Sequence, residues 1–381
     1  MKKGKTKNFY IKILFIFIIL FFLKFNDSLL KVLLSYFFSY TFDIENIKIY
    51  FKLCNSQRLI NRKKYKKIKI PKVSIISPVY NREEFILRFL RSVQNQKFND
   101  IEIIFIDDCS EDKSAKLIKK YQEKDERIIL IKNKKNRGTL ISRTIGGLNS
   151  RGEYLIFPDP DDIISKNIIN FSYNFIRAYN YEMLRFNLFT GRTIFFQKIV
   201  YGLENKNINQ PKLSTFLFYG KGRLLQIDFN VSNKFIKRKA FIRALNSING
   251  FYLNLYMTNL EDGLMNYLFY RSAKSLFFIK KVGYYYIQNK KSITRTKIND
   301  NYLKSLFYNL KLIFEYSKNN KYEKNMANAF LYKFMPHIKN KKLNLMISKD
   351  CSFYNNIIKL YLNCKFISIK NKKLLKNIKC K

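Results

Sequence analysis

From Val73 onward the apolar positions switch repeatedly between a period of two and a period near 3.6, and each switch marks an element. Val73–Ser77 is a β-branched run closed by Pro78, the form of a buried strand entering a loop. Asn81 precedes Glu84 at capping-box spacing, and Ile86, Phe89, Leu90 and Val93 then recur as one helix face. Ile101–Ile106 predicts a second strand, stopped by Asp107 and Asp108, and Leu117, Ile118 and Tyr121 mark the next helix. Ile128–Ile131 reads as a third strand, Thr139–Leu148 as a helix, and Tyr154–Phe157 as a fourth strand halted at Pro158. Strands alternating with helices at this spacing predict βαβ units and an α/β fold with a mostly parallel sheet.

Ligands of such sheets sit beyond the carboxyl ends of the strands, near the switch in strand order. Tyr80, Asp107, Asp108, Asp159, Asp161 and Asp162 all fall at strand ends. No G-x-G-x-x-G or G-x-x-x-x-G-K-[ST] occurs, which removes the dinucleotide and P-loop phosphate cradles.

Upstream of Val73 the pattern is different. Lys2, Lys3, Lys5 and Lys7 precede an apolar run, Ile13–Leu23, with no small-x-small cleavage site after it. A spanning helix needs about 20 apolar residues, so the run is short. It is expected to act as an uncleaved signal-anchor, with Lys12 and Lys24 snorkelling. The expected layout is a cytoplasmic N-terminus and anchor over 1–28 and a membrane-proximal stem over 29–71. A catalytic domain over 72–298 and a helical extension with a basic tail over 299–381 complete it. This reading makes the protein single-pass and membrane-bound, with its domain in an endomembrane lumen or on the external face. Asn301–Ile313 and Tyr322–Phe334 show the helical spacing of the extension.

Charge adds less than its size promises. The 381 residues carry 73 Lys and Arg against 27 Asp and Glu, a formal net charge of +46. Nucleic acid is not an expected partner, because the lysines are spread along the chain and no nucleic-acid motif accompanies them. The excess of Lys, Asn, Ile, Phe and Tyr with no Trp is instead the signature of A/T-rich coding. The five cysteines form no CxxC pair, and His337 is the only histidine, so a disulfide framework, a zinc site and a histidine base all lack support.

Acidic residues are scarce enough for their clusters to stand out. Asp107-Asp108, Asp159-Pro160-Asp161-Asp162 and Glu261-Asp262 each set carboxylates side by side. Adjacent carboxylates raise each other's pKa unless a cation or donor compensates. One or two carboxylates completed by substrate phosphates is the usual way to hold Mg²⁺. The alternative for the Asp159–Asp162 stretch is a polar turn with a helix N-cap at Asp161 or Asp162.

The blocks together resemble family 2 glycosyltransferases. Val73–Asn81 resembles that family's "SIIIPVYN", Ile106–Asp112 its "VDDGSTD", and Asn136-Arg137-Gly138 with Arg143 its "N-x-G-x-x-x-A-R-N". Gly152-Glu153-Tyr154 leading to Asp159–Asp162 resembles "GEY-I-x-F-L-D-S-D-D", and Asn233–Arg238 resembles "NKLFRR". Glu261-Asp262 resembles the "ED" motif, and Tyr284-Tyr285-Tyr286 with Ser292-Ile293-Thr294 the closing Tyr-rich block. The resemblance implies a GT-A fold, a Rossmann-like sheet flanked by helices. It also implies a nucleotide-sugar donor, a UDP-sugar in the leading reading, and a glycan, protein or lipid-linked acceptor.

By the same resemblance Pro78, Tyr80, Asp107 and Asp108 belong to the donor nucleoside pocket, with Tyr80 stacking on the base and Asp108 accepting from a ring N–H. Arg143 would meet diphosphate oxygens. Asp159 and Asp161 match the DxD element that holds Mn²⁺ or Mg²⁺, Asp161 in direct contact. Asp262 would be the general base, with Glu261 as its rival, and the transfer would invert configuration. Cys109 stands where the family carries Gly, and Gln288 near the place of its His. No Q-x-x-R-W is present, which disfavours a processive synthase. Dolichyl-phosphate sugar synthases share the early blocks, so transfer to a polyprenyl phosphate is an alternative, and an inactive scaffold another.

Overall fold

Each strand of the first half ends within two residues of the end of its apolar run, and the loops beyond those ends gather on one edge of a sheet. A computed structural model of the chain describes residues 70–191, 197–199, 206–209, 218–219, 226–227, 230–248, 255–257, 260–287 and 299–316. Strands β1 (Val73–Val79), β2 (Ile101–Asp107), β3 (Ile128–Lys132) and β4 (Tyr154–Ile156) alternate with helices α1 (Glu83–Gln94), α2 (Ser114–Gln122) and α3 (Thr139–Asn149). They pair in parallel, in the order β3-β2-β1-β4. The chain therefore leaves β1 for β2 on one side and returns to β4 on the other, which opens a crevice at their carboxyl ends. Val73, Ile75, Ile76 and Val79 are wholly buried, as strands covered on both faces must be.

Beyond β4 come β5 (Ile163–Ile164), α4 (Ile168–Tyr179), β6 (Met183–Gly191), β7 (Gln197–Ile199), β8 (Lys206–Asn209), β9 (Phe218–Tyr219) and β10 (Gln226–Ile227). They are followed by β11 (Lys234–Lys237), α5 (Arg238–Asn246), α6 (Glu261–Ser272), β12 (Ser275–Ile287) and α7 (Asp300–Tyr316). The sheet continues from β4 through β11, β6 and β12 to β5. Here the expectation of a mostly parallel sheet is corrected to a mixed one. β11 lies antiparallel between β4 and β6, β5 and β8 are antiparallel to β12, β7 is antiparallel to β6, and only β6 and β12 run parallel. A parallel neighbour requires its own crossover, and the short strands after β6 do not supply one to β11.

Two glycines set how closely α3 lies on the sheet. A Cβ at Gly146 would come within 2.3 Å of Ile76 Cγ2, and one at Gly147 within 2.3 Å of Phe241 Cζ. Glycine costs a helix interior about 1 kcal/mol relative to Ala, and here it lets α3 fit between β1 and α5. α6 is apolar nearly all round, with Leu264, Met265, Tyr267, Leu268, Phe269 and Tyr270 buried, as a helix enclosed by its neighbours should be. α7 realises part of the expected helical extension, and its Asn309 Nδ2 donates to Leu260 O at 3.2 Å. The predicted helix over Tyr322–Phe334 and the basic tail lie outside the described residues.

Two further expectations change. The Asn81–Glu84 capping box does not form: α1 starts at Glu83 with no side-chain cap, and Asn81, at φ 50°, turns its Oδ1 to Glu111 N at 2.9 Å. The placement as a single-pass, membrane-anchored protein is also corrected. Among the described residues no helix is long and apolar enough to cross a membrane. The expected anchor and stem over 1–69 lie outside the described residues, and its apolar run falls short of the roughly 20 residues a span needs.

Candidate functional site

The loops after β1, β2 and β3 are tied together at Asp108. Its backbone N–H donates to Val79 O at 2.7 Å, which holds the ends of β1 and β2 level. Its carboxylate accepts Asn133 Nδ2 at 2.7 Å and Arg137 N at 2.9 Å on Oδ1, and Gly138 N at 2.8 Å on Oδ2. Three of its roughly four acceptor positions are thus taken by the chain, which leaves one for a ligand. Gly138 has φ 85°, and a Cβ there would lie 2.8 Å from Met257 O, so only glycine fits between Asp108 and that segment. Asp107 is buried, and its Oδ1 accepts Ser110 N at 3.1 Å. Pro78 lies one residue before the end of β1, in register with Ile106.

Tyr80 stands 41% exposed at this edge. Tyr256, 48% exposed, is a neighbour that no motif had marked. Burial first, then the charges of Asp108 and Tyr80, push its phenol up, which sets Tyr256 near both. Cys109, the residue in the family's Gly position, has φ 66°, a left-handed conformation that favours glycine.

A second cluster forms around Arg143, which α3 carries into the interior with 2% side-chain exposure. Its Nη2 meets Asp159 Oδ1 at 2.6 Å, and its Nη1 meets Glu261 Oε1 at 3.4 Å and also Asp262 Oδ1. One guanidinium thus joins the loop after β4 to the first turn of α6. Burial alone would lower the Arg143 pKa; the charges of Asp262, Asp159 and Glu261 outweigh it and raise it. Its Nε is buried with no hydrogen-bond partner among the described residues.

The two carboxyls at the start of α6 differ. Burial, then the charge of Asp262, pushes Glu261 up to about 8 against the pull of Arg143. Asp262 is also raised by burial, but Arg143 and Lys234 draw it back. Side-chain exposure is 11% for Glu261 and 25% for Asp262. Lys234 itself is fully buried on β11, with Nζ donating to Asn233 Oδ1 at 3.0 Å and also to Asn230 O.

Within the Asp159–Asp162 loop the carboxylates diverge. Asp159 Oδ2 accepts Ser232 Oγ at 3.2 Å. Asp161 is 18% exposed and lies 3.7 Å from Arg82 Nε. Asp162 points inward at 1% exposure and neither caps a helix nor faces the loop: Oδ2 accepts the Tyr284 hydroxyl at 2.6 Å and Oδ1 accepts Ile287 N at 2.8 Å. Burial first, then the charges of Asp161 and Asp159, raises its pKa.

The structure therefore brings Asp159, Arg143, Glu261 and Asp262 into contact, and sets Tyr80, Asp107 and Asp108 in the neighbouring loops. Arg143, expected at diphosphate oxygens, is occupied by carboxylates. Tyr256, Tyr284, Ser232, Lys234 and Arg82 were given no role from sequence, although Lys234 and Tyr284 lie in blocks that resemble the family's.

Comparison with known proteins gives the cluster a context. Residues 74–241 match the model of glycosyl transferase family 2. An uncharacterized glycosyltransferase of Haemophilus influenzae is 38% identical over 107 residues, which cover 28% of this chain and 43% of that protein. Glycosyltransferase GlyG of Streptococcus pneumoniae is 23% identical over 60% of this chain and 74% of its own length. Poly(ribitol-phosphate) beta-N-acetylglucosaminyltransferase TarP of Staphylococcus aureus is 29% identical over 57% and 63%. Among solved structures, S. aureus TarS 1-349 with UDP aligns with TM-score 0.56 at 19% identity, covering 80% of this chain and 86% of that one. The same protein with UDP-GlcNAc aligns at 0.55 and 17%, covering 76% and 80%, a likeness of fold. Residues 74–241 thus form a domain that matches glycosyl transferase family 2.

Proposed function

We propose that the chain transfers a sugar from a nucleotide-sugar donor, of the UDP-sugar class, to an acceptor hydroxyl with inversion of configuration. The observation that carries this reading is the convergence of Asp159, Glu261 and Asp262 on the buried Arg143 at the carboxyl edge of the sheet. TarS, solved with UDP-GlcNAc, shares the fold and lends support to the donor class.

In the proposed reaction Asp262 takes the proton of the acceptor hydroxyl as that oxygen attacks the anomeric carbon. The new C–O bond forms on the face opposite the diphosphate, whose own bond to that carbon breaks and leaves with its electron pair. Asp262 suits the base better than Glu261, because it is the more exposed and Arg143 and Lys234 draw its pKa back, whereas burial and Asp262 push Glu261 up. Arg143 acts by orienting the carboxylates, its two Nη groups being already engaged. Tyr80 and Tyr256 offer exposed ring faces to a planar base, and Asp108 the remaining acceptor position.

The donor set suits a divalent cation. Asp159 and Asp161 are hard oxygen donors that face Arg143 and Arg82, and among the described residues no three His, Cys, Asp or Glu side chains form a cage, so an ion there would need substrate phosphates to complete its shell. That is the chemistry of Mg²⁺ or Mn²⁺ held by one or two carboxylates and completed by substrate phosphates. Bound there, the ion would neutralise charge on the departing nucleoside diphosphate.

The test is release of nucleoside diphosphate by the full chain from a panel of UDP- and GDP-sugars, with Mn²⁺ or Mg²⁺ and with EDTA. Turnover of one donor that EDTA abolishes is expected. Turnover unaffected by EDTA would remove the metal from the account, and silence with every donor and a range of acceptors would remove the reaction.

A further inference from the structure

One buried phenol touches the carboxylate loop at both of its ends. The Tyr284 hydroxyl accepts Asp159 N–H at 3.0 Å and donates to Asp162 Oδ2 at 2.6 Å. Asp162 is fixed from its other side by Ile287 N at 2.8 Å, and the loop closes on itself through Asp162 N to Asp159 O at 3.3 Å. The ring of Tyr284 lies in the hydrophobic core with no exposure, and its backbone is in register with Ile164 of β5. Between the two clamped residues stand Pro160 and Asp161, and the Asp161 carboxylate faces Arg82.

We infer that Tyr284 is a positioning residue for the donor site, its hydroxyl fixing the turn that presents Asp161 towards Arg82 and Asp159 towards Arg143. The inference rests on the reading of Asp159 and Asp161 as the carboxylates that meet metal and diphosphate. An anchor on a distant strand fits this task because the loop follows β4 directly and has no regular structure of its own until β5. The core holds the ring, so the hydroxyl is fixed before the loop closes on it. Asp162 then has a role distinct from Asp161 although it is adjacent in sequence: it is the loop's inward hook. Removal of such a partner behind a ligating carboxylate typically weakens metal binding about 10- to 100-fold.

The experiment measures Mn²⁺ affinity of the full chain by electron paramagnetic resonance with UDP present, beside the donor KM, kcat and the melting temperature. Tyr284→Phe keeps the ring and removes only the hydroxyl. It is expected to weaken Mn²⁺ binding about tenfold and raise the donor KM by more than it lowers kcat. Tyr285→Phe, on the next residue of the strand, is expected to leave Mn²⁺ affinity at the wild-type value. Asp162→Asn should shift Mn²⁺ affinity in the same direction as Tyr284→Phe, and the double variant should be little worse than either single one, because both break one device. A Tyr284→Phe protein that melts lower but binds Mn²⁺ and donor as the wild type does would make the phenol a structural strut and overturn the inference. Additive losses in the double variant would also overturn it. Absence of Mn²⁺ binding in the wild type itself would instead bring down the underlying reading of the site, a separate and recognisable failure.

Discussion

The loops around Asp108 and the cluster around Arg143 lie on the same edge of the sheet and are held by opposite means. Around Asp108 the carboxylates accept from backbone N–H groups: Arg137 and Gly138 donate to Asp108, Glu83 and Ser114 to Asp112, and Lys113 to Glu83. Around Arg143 the bonds run between side chains drawn from distant parts of the chain, 119 positions apart for Arg143 and Asp262 and 122 for Tyr284 and Asp162. Fixed backbone dipoles satisfy a carboxylate with little dependence on pH, whereas a buried group of opposite charges depends on every member's protonation state. The first region is thus built for shape and the second for chemistry.

Substitutions can break that contrast, and the largest effect is expected at Asp262. Asp262→Asn should lower kcat by roughly 10²- to 10⁴-fold while donor affinity, read by calorimetry, stays near wild type. Equal losses in both would make Asp262 a binding residue. Arg143→Met follows: it strands Asp159, Glu261 and Asp262 without their cation. Breaking a buried pair on one side costs about 3–5 kcal/mol. At about 2–4 °C per kcal/mol for a domain of this size, the melting temperature should fall by roughly 6–20 °C.

A pH series sharpens the same contrast. Burial and Asp262 push Glu261 up to about 8 in the folded chain, from the ordinary 4.5. The folded state therefore binds that proton more tightly, so the contribution is complete below the unfolded pKa and is lost as pH rises through the folded one. The melting temperature should decline between those values in the wild type, and more shallowly in Glu261→Gln. A decline of identical slope in the variant would assign it to another group.

In the other region Asp108→Asn replaces one acceptor oxygen by a donor facing N–H groups, a loss of about 1–3 kcal/mol. Its effect should appear as weaker donor binding with an unchanged pH profile. The smallest change is expected for Cys109→Gly. Relief of a left-handed residue is worth about 1–2 kcal/mol, and the greater freedom of unfolded glycine returns about 0.4–1 of it. A slightly higher urea midpoint should result, and a lower one would show that Cys109 is unstrained.

The same contrast explains what was legible in the sequence. β1, α3 and the turn at Asp107–Asp108 could be placed because they depend on local periodicity and turn chemistry, and the Asn136–Gly138 loop by its resemblance to a family block. Asp159, Asp161, Glu261 and Asp262 stood out because acidic residues are rare here. The contact of Arg143 with three carboxylates, the inward turn of Asp162 and the approach of Tyr256 to Asp108 were not legible. They arise from the docking of α6 beside α3 and the return of β12 to β5, long-range placements that local patterns do not encode. Asp162 is the plainest case: it is as polar as Asp161 in sequence, and the Tyr284 hydroxyl and the Ile287 N–H separate their roles.

The most direct measurement is titration of UDP-GlcNAc into the full chain by calorimetry, with and without Mn²⁺, beside Asp161→Ala. The account predicts saturable binding at one site, strengthened by Mn²⁺ and lost or much weakened in the variant. Failure of the chain to bind this or any other nucleotide sugar would contradict it.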